Sequence, residues 1–212
     1  GIWTRGIDRS IFHPGARDME WRRSLGIGDE EVVISFLGRL VMEKGLDIFA
    51  DTIIELRKRQ VPHRVMVIGD GPARGWFEKA LPGGIFVGLQ GGTDLGRAVA
   101  SSDVFFNPSI TETFGNVTLE AMACGLPVVA AGATGAASLV QDGATGRLVP
   151  PDRPEVFAPA CAEALAPYCT DDNLRLLHGA NGEEAAGAYT WDAINQAVVD
   201  TYLRLIAGRR GS

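Results

Sequence analysis

The sequence predicts an α/β chain built on a doubly wound parallel sheet. Three observations carry that expectation. From Val32 onward, short apolar runs alternate with segments of helical periodicity. The run Val32-Val33-Ile34-Ser35-Phe36-Leu37 is continuous and not alternating, which suits a strand covered on both faces. Turn-rich loops at 38–45, 69–72 and 108–116 each follow such a run, and sheets of this kind bind ligands beyond the carboxyl ends of their strands. Right-handed connections are expected throughout.

The elements follow in order. A short helix is expected around 17–25, ended by Gly26, and the first strong strand covers 32–37. Leu46, Phe49, Ile53 and Leu56 share one face of a helix over 46–60, with Lys58 and Arg59 suiting its C-terminus. The strand 64–68 runs into the turn cluster Gly69-Asp70-Gly71-Pro72. A helix over 74–80 and a strand over 85–88 come next, then a helix over 95–101 capped by Asp94. Strands at 104–106 and 127–131 flank a helix over 116–124. Residues 132–151 are glycine-rich, with a turn at Gln141-Asp142-Gly143 and a short strand over 146–149. Helices are expected over 154–166, 170–188 and 191–207. Trp191, Ile194, Val198 and Leu205 form an apolar stripe on the last.

Composition narrows the function classes. At 212 residues the chain can bury one sizeable core, and 46% hydrophobic with 22% charged residues is ordinary for a globular protein. A net charge of −6 argues against a general nucleic-acid surface, so any phosphate binding is local. No apolar run approaches the ~20 residues that span a bilayer. Cys124, Cys161 and Cys169 lack metal-site spacing and read as buried reduced thiols. A cytoplasmic setting is the expectation, with peripheral association at the inner membrane face in the full-length protein.

The chemistry gathers around 108–127. Gly115 lets the backbone approach a ligand closely. The helix start at Asn116 offers unpaired N–H groups and about half a positive charge, a natural seat for phosphate. Glu112 stands in the turn before it, and Glu120 one helical turn after Asn116 on the same face. A phosphate cradle flanked by two hydroxyl-binding carboxylates suits a nucleotide attached to a sugar. Arg39 and Lys44 add cations in the loop after the first strong strand, aimed at charge that a departing diphosphate gathers. Gly69 and Gly71 match only part of a dinucleotide fingerprint, because Arg74 takes the third glycine's place. Close backbone approach to a base or ribose is expected there, and at Val87-Gly88. His13, His63 and His178 are isolated. No Asp-x-Asp or P-loop pattern occurs, so neither a metal-bridged diphosphate nor any other metal or cofactor is expected.

Glu112 and Glu120 form E-x7-E around Phe114-Gly115. With Gly38-Arg39-Leu40, Glu43-Lys44-Gly45, the run Glu120-Ala121-Met122-Ala123-Cys124-Gly125-Leu126-Pro127, Asp142-Gly143 and Thr145-Gly146, the chain resembles the retaining glycosyltransferases of family 4 over residues 6–205. That resemblance implies the GT-B architecture, two Rossmann-like domains with the active site between them. It implies that this chain is the C-terminal half: 1–14 a linker remnant, 15–190 the donor-binding domain, and 191–212 a helix packing toward an N-terminal domain of the same protein. It implies a nucleoside-diphosphate sugar as donor and an acceptor hydroxyl of unknown identity. Arg39 and Lys44 would then hold the diphosphate, Glu112 the sugar and Glu120 the ribose. Gly38, Gly69, Gly71, Val87, Thr113, Phe114, Gly115 and Asn116 would line the donor site. Alone, the half is expected to be inactive and prone to self-association through its last helix. The chain departs from the family's G-G-x-P-E segment at Thr134-Gly135-Ala136-Ala137-Ser138, so sugar specificity cannot be carried over. A nucleotide-sugar epimerase of the same fold and a non-catalytic binding module are the rival readings.

Overall fold

The computed structural model describes residues 6–112, 114–191, 194–196 and 199–200. Strands β1 (Val33–Leu37), β2 (Arg64–Ile68), β3 (Ile85–Gly88), β4 (Val104–Asn107), β5 (Val128–Ala131) and β6 (Gly146–Val149) form one sheet in the order β3-β2-β1-β4-β5-β6. Every neighbouring pair is parallel. Helices α1 (Met19–Ser24), α2 (Leu46–Lys58), α3 (Arg74–Ala80), α4 (Gly92–Ala100), α5 (Asn116–Ala123), α6 (Thr134–Ala137), α7 (Pro154–Thr170) and α8 (Asp172–Ala186) connect the strands and close the chain.

The central strand explains why its sequence does not alternate. All five residues of β1 are buried. Ile34 and Phe36 turn to one face, where Phe49, Ile53 and Leu56 of α2, Phe77 of α3 and Leu165 of α7 cover them. Val33 and Leu37 turn to the other, against Met66, Phe105, Met122 of α5 and the N-terminal Ile7 and Phe12. Phe36 meets Phe49 and Phe77 edge-on, at centroid distances of 5.6 and 5.7 Å, and Phe49 stacks on Phe106 at 5.2 Å. These rings fix α2 and α3 over β1 and β4, and so set where the loops leaving those strands emerge.

At the opposite end of the same two strands stands a residue that sequence reasoning passed over. Arg22 of α1 has no exposed surface. It donates to the Ser101 carbonyl at 2.7 Å, to Asp103 Oδ2 at 2.8 Å and to the Glu31 carbonyl at 2.6 Å. Asp103 also accepts from the Val33 amide and from Arg17, each at 2.8 Å. The cluster clamps the start of β1 to the approach to β4. Breaking a buried pair leaves an uncompensated charge, at a cost of about 3–5 kcal/mol. Arg22→Ala is therefore expected to lower Tm by roughly 10 °C in a chain of this size, which calorimetry or a circular-dichroism melt would measure.

Several expected boundaries move. α4 begins at Gly92 with Gly91 as its N-cap, and Asp94 lies inside the first turn, 2.9 Å from Arg97. Asp94 is thus an intrahelical ion-pair partner and not a cap. α7 runs through Pro167 to Thr170, beyond the expected end at 166. Asp171, not Thr170, starts α8 by accepting from the Leu174 amide at 3.0 Å. The single-turn α6 has no periodicity long enough to be read from sequence. Ile7 donates to the Tyr189 carbonyl at 2.7 Å and bridges Thr190, which sets the expected linker beside the start of the C-terminal stretch. Most of the expected 191–207 helix, including Val198 and Leu205, lies outside the described residues; Trp191 within it is half exposed.

Candidate functional site

β1 and β4 are neighbours in the sheet though β2 and β3 intervene in the chain. Strand order reverses between them, and that reversal opens a crevice at their carboxyl ends. The loop 38–45 leaves β1 and the loop 108–116 leaves β4, so both expected site loops border the crevice.

They are joined directly. Lys44 Nζ lies 2.6 Å from Glu112 Oε1, with the two side chains 29% and 16% exposed. Thr111 Oγ1 donates to the Glu43 carbonyl at 3.2 Å. Gly45, at φ 73°, abuts Pro108 so closely that a Cβ would come within 3.2 Å of its ring and carbonyl. Arg39, from the same loop as Lys44, is exposed, and its guanidinium makes no hydrogen bond or ion pair among the described residues.

α5 starts at the crevice. Its N-cap is Gly115 at φ 87°, with no side-chain cap. The Leu119 amide already reaches the Gly115 carbonyl, whereas those of Asn116, Val117 and Thr118 have no acceptor among the described residues. The first-turn amides and the helix dipole point at one spot, the arrangement that takes an anion. Asn107, at the end of β4, donates to Thr118 Oγ1 at 3.2 Å and accepts from the Ser109 amide at 3.1 Å. It thereby holds the loop's first turn to the helix.

Glu120 sits one turn further on, on the partly open face of α5 that also carries Asn116 and Val117. No described residue donates a hydrogen bond to its carboxyl. Burial, with nothing to offset it, pushes its carboxyl up to about 7. A carboxylate desolvated and unpaired at its own expense is the kind of group found at functional sites. Its charge in turn helps raise the buried Cys124 thiol, whose titration burial already pushes up to about 12.

The loop after β5 closes over the turn. A Cβ on Gly135 would lie 2.8 Å from both Glu112 Cβ and the Glu112 carbonyl oxygen, and one on Gly115 would lie 3.3 Å from the Gly135 carbonyl carbon. Ser138 Oγ donates to the Gly135 carbonyl at 2.8 Å, fixing α6 in that position. The segment that departs from the family pattern therefore packs on Glu112 itself. Gly135 and Asn107 are the residues the sequence reading missed. Their signals were a glycine retained within an otherwise altered segment, and an amide at the end of an apolar strand.

Other expected site residues serve the scaffold. The amides of Gly38, Gly69 and Gly71 are engaged by Ile68 O, Gly88 O and Asp70 Oδ1 at 3.0, 2.8 and 2.7 Å. A Cβ on Gly69 would strike the Gly38 carbonyl, and one on Gly71 would come within 2.7 Å of the Leu40 backbone. These glycines let the loops after β1 and β2 nest. Arg74 is held by Asp70 and Glu78 at 2.9 and 2.8 Å. Val87 is half-buried and its carbonyl accepts from Gln90. The Phe114 ring turns to Tyr189, at a centroid distance of 6.1 Å, leaving its backbone as what it can offer a ligand. Thr113 lies outside the described residues.

Among the described residues no His, Cys, Asp and Glu cluster could hold a metal ion, and no helix is long and apolar enough to cross a membrane.

Comparison with known proteins identifies the family. Residues 31–167 match the family model described as glycosyl transferases group 1. The chain is 31% identical to a GDP-mannose-dependent alpha-mannosyltransferase of Corynebacterium glutamicum, over 97% of this chain and 48% of that protein. It is 36% identical to the sulfoquinovosyl transferase SQD2 of Arabidopsis thaliana, over 91% of this chain and 37% of that one. It therefore spans about half or less of these curated relatives. Among solved structures, Anabaena HepE in complex with UDP-glucose superposes with a TM-score of 0.78 at 26% identity, covering 94% of this chain and 56% of HepE. Sheet order, crevice and matched family agree: the chain belongs to the group 1 glycosyl transferases, with the α/β fold of a GT-B domain.

Proposed function

We propose that this chain is the donor-binding half of a retaining, metal-independent glycosyltransferase of family 4. Its donor is a nucleoside-diphosphate sugar and its acceptor a hydroxyl. The observation that carries the reading is the 2.6 Å contact between Lys44 and Glu112, which brings the basic loop of β1 and the α5 tip of β4 to one crevice. The names of its relatives support the donor class, since one is a GDP-mannose-dependent transferase and HepE was solved with UDP-glucose.

In this reading the diphosphate lies on the free amides of Asn116, Val117 and Thr118, with Arg39 and Lys44 beside it. Glu120 accepts from ribose hydroxyls and Glu112 from hydroxyls of the sugar. As the glycosidic bond breaks, negative charge collects on the leaving phosphate. The two cations and the helix tip meet that charge without reorganising. A donor phosphate oxygen takes the proton of the incoming hydroxyl on the face from which the diphosphate leaves, so configuration is retained. The acceptor and the opposite wall of a water-excluding cleft belong to a second domain of the same protein. By itself this half binds donor and transfers little.

A thermal-shift panel of nucleoside diphosphates and nucleotide sugars tests the reading. A true ligand stabilises the fold with the logarithm of its concentration over Kd, by about 2.7 kcal/mol at a hundredfold excess, and Tm rises accordingly. A panel in which UDP, GDP, UDP-glucose and GDP-mannose all leave Tm unchanged would overturn it.

A further inference from the structure

Lys44 and Glu112 do more than join two loops. Because Glu112 Oε1 is 2.6 Å from the ammonium, any phosphate that takes Lys44 as partner has a carboxylate for a close neighbour. Both side chains are largely shielded, so that neighbour is poorly screened. Gly135 packs against Glu112 Cβ and carbonyl oxygen, which limits how far the carboxylate can withdraw.

From this geometry we infer that Glu112 makes the site select the sugar nucleotide over the spent nucleoside diphosphate, and so drives product release. The inference rests on the nucleotide-sugar reading above. In the donor, the terminal phosphate is esterified to the sugar on one side and joined to the neighbouring phosphate on the other, so it carries one negative charge, and the attached sugar offers hydroxyl donors to Glu112. Transfer breaks the bond between the sugar's anomeric carbon and the phosphate oxygen. The acceptor oxygen bonds to that carbon, the bonding electrons stay on the phosphate oxygen, and the acceptor's proton, first taken by the phosphate, passes to water above about pH 7. The terminal phosphate, now joined only to the neighbouring phosphate through the anhydride oxygen, carries close to two charges above a second pKa of about 6. Glu112 thus loses its hydroxyl donors as the anion beside it gains charge. Arg39, Lys44 and the α5 tip hold that charge during transfer. Once the glycosylated product leaves, carboxylate and phosphate compete for Lys44, and the carboxylate is covalently held in place.

The test is calorimetric titration of the intact protein with GDP, GDP-mannose, UDP and UDP-glucose at about pH 8. With whichever base the wild type accepts, the sugar nucleotide should bind more tightly than the diphosphate. Glu112→Gln should tighten the diphosphate about tenfold, as expected for removing a like charge at close range, while the sugar nucleotide gains nothing or weakens. The preference should therefore disappear. Lys44→Met should remove the effect of Glu112→Gln in a double-mutant cycle. If the amide variant does not fold, Glu112→Asp draws the charge back by one methylene and should move the preference the same way by less. An unchanged preference in a folded Glu112 variant overturns the inference and leaves the proposed function standing. A wild type that binds none of the four ligands overturns both.

Discussion

In the glycosyltransferase proposed above, Lys44→Ala is expected to lower kcat/KM about a thousandfold, roughly 4 kcal/mol, with most of the loss in kcat. The ammonium lies where the loop of β1 meets the turn of β4, paired with Glu112 and 29% exposed. Its charge therefore acts in a poorly solvated crevice, where Coulomb interactions are several times stronger than in water. Arg39→Ala should cost less, about a hundredfold. Arg39 is exposed, so water screens part of its charge. The double variant should fall short of the sum, because both cations meet the same phosphate charge. Folding provides the control. Lys44→Ala strips Glu112 of a partner, which costs about 1 kcal/mol for a partly exposed pair and lowers Tm by a few degrees. Steady-state kinetics showing Lys44→Ala within threefold of wild type would remove the diphosphate from this crevice.

The same loops show how far the sequence could be read. β2, α3, β3 and β6 have the expected limits, because the turn residues Gly69-Asp70-Gly71-Pro72, Pro82-Gly83-Gly84 and Asp142-Gly143 bound them. That Glu112 and Lys44 share a site was legible only through topology. Alternating strands and helices imply loops at one edge, and the edge brings residues 68 positions apart to 2.6 Å. What stayed hidden was side-chain competition. Sequence spacing offered Gly69 and Gly71 as backbone open to a ligand, whereas nesting of the β1 and β2 loops uses their amides. Phe114, inside the E-x7-E stretch, is claimed by Tyr189. Asp94 was a cap by residue type, but Arg97 three residues on holds it within the first turn. Arg22 gave no signal, since a buried arginine looks like any helix-surface arginine until Asp103 and the Ser101 carbonyl are placed around it. At Gly69, Phe114 and Arg22 a partner distant in sequence overrode a local preference, whereas at Asp94 the rival partner stood only three residues away.

Glu120→Gln should stabilise the protein while impairing donor binding, and pH should expose the trade. Burial holds the Glu120 carboxyl at about 7 against an ordinary 4.5. Below the ordinary value both the folded and the unfolded chain carry the proton, so the residue costs nothing. Between 4.5 and about 7 the unfolded chain releases its proton while the folded chain keeps it. Stability accordingly falls as pH rises through that window, and levels off above it. At about 1.4 kcal/mol per pH unit the whole loss is roughly 3 kcal/mol. The amide variant escapes it: at pH 8 its Tm should exceed that of the wild type by roughly 6–10 °C, and at pH 4 the two should coincide. Donor affinity should move the other way. Ribose hydroxyls favour the ionised carboxylate, so wild-type affinity rises with pH across the same window as binding expels the proton. Glu120→Gln should bind donor about a hundredfold more weakly at pH 8, with no rise through neutrality. A variant that melts below the wild type at pH 8, or binds donor equally well, would show that Glu120 is satisfied within the fold and not reserved for a ligand. The expected pairing, more stable and less able to bind, is the signature of a carboxylate kept buried and unpaired for a partner that the fold itself does not supply.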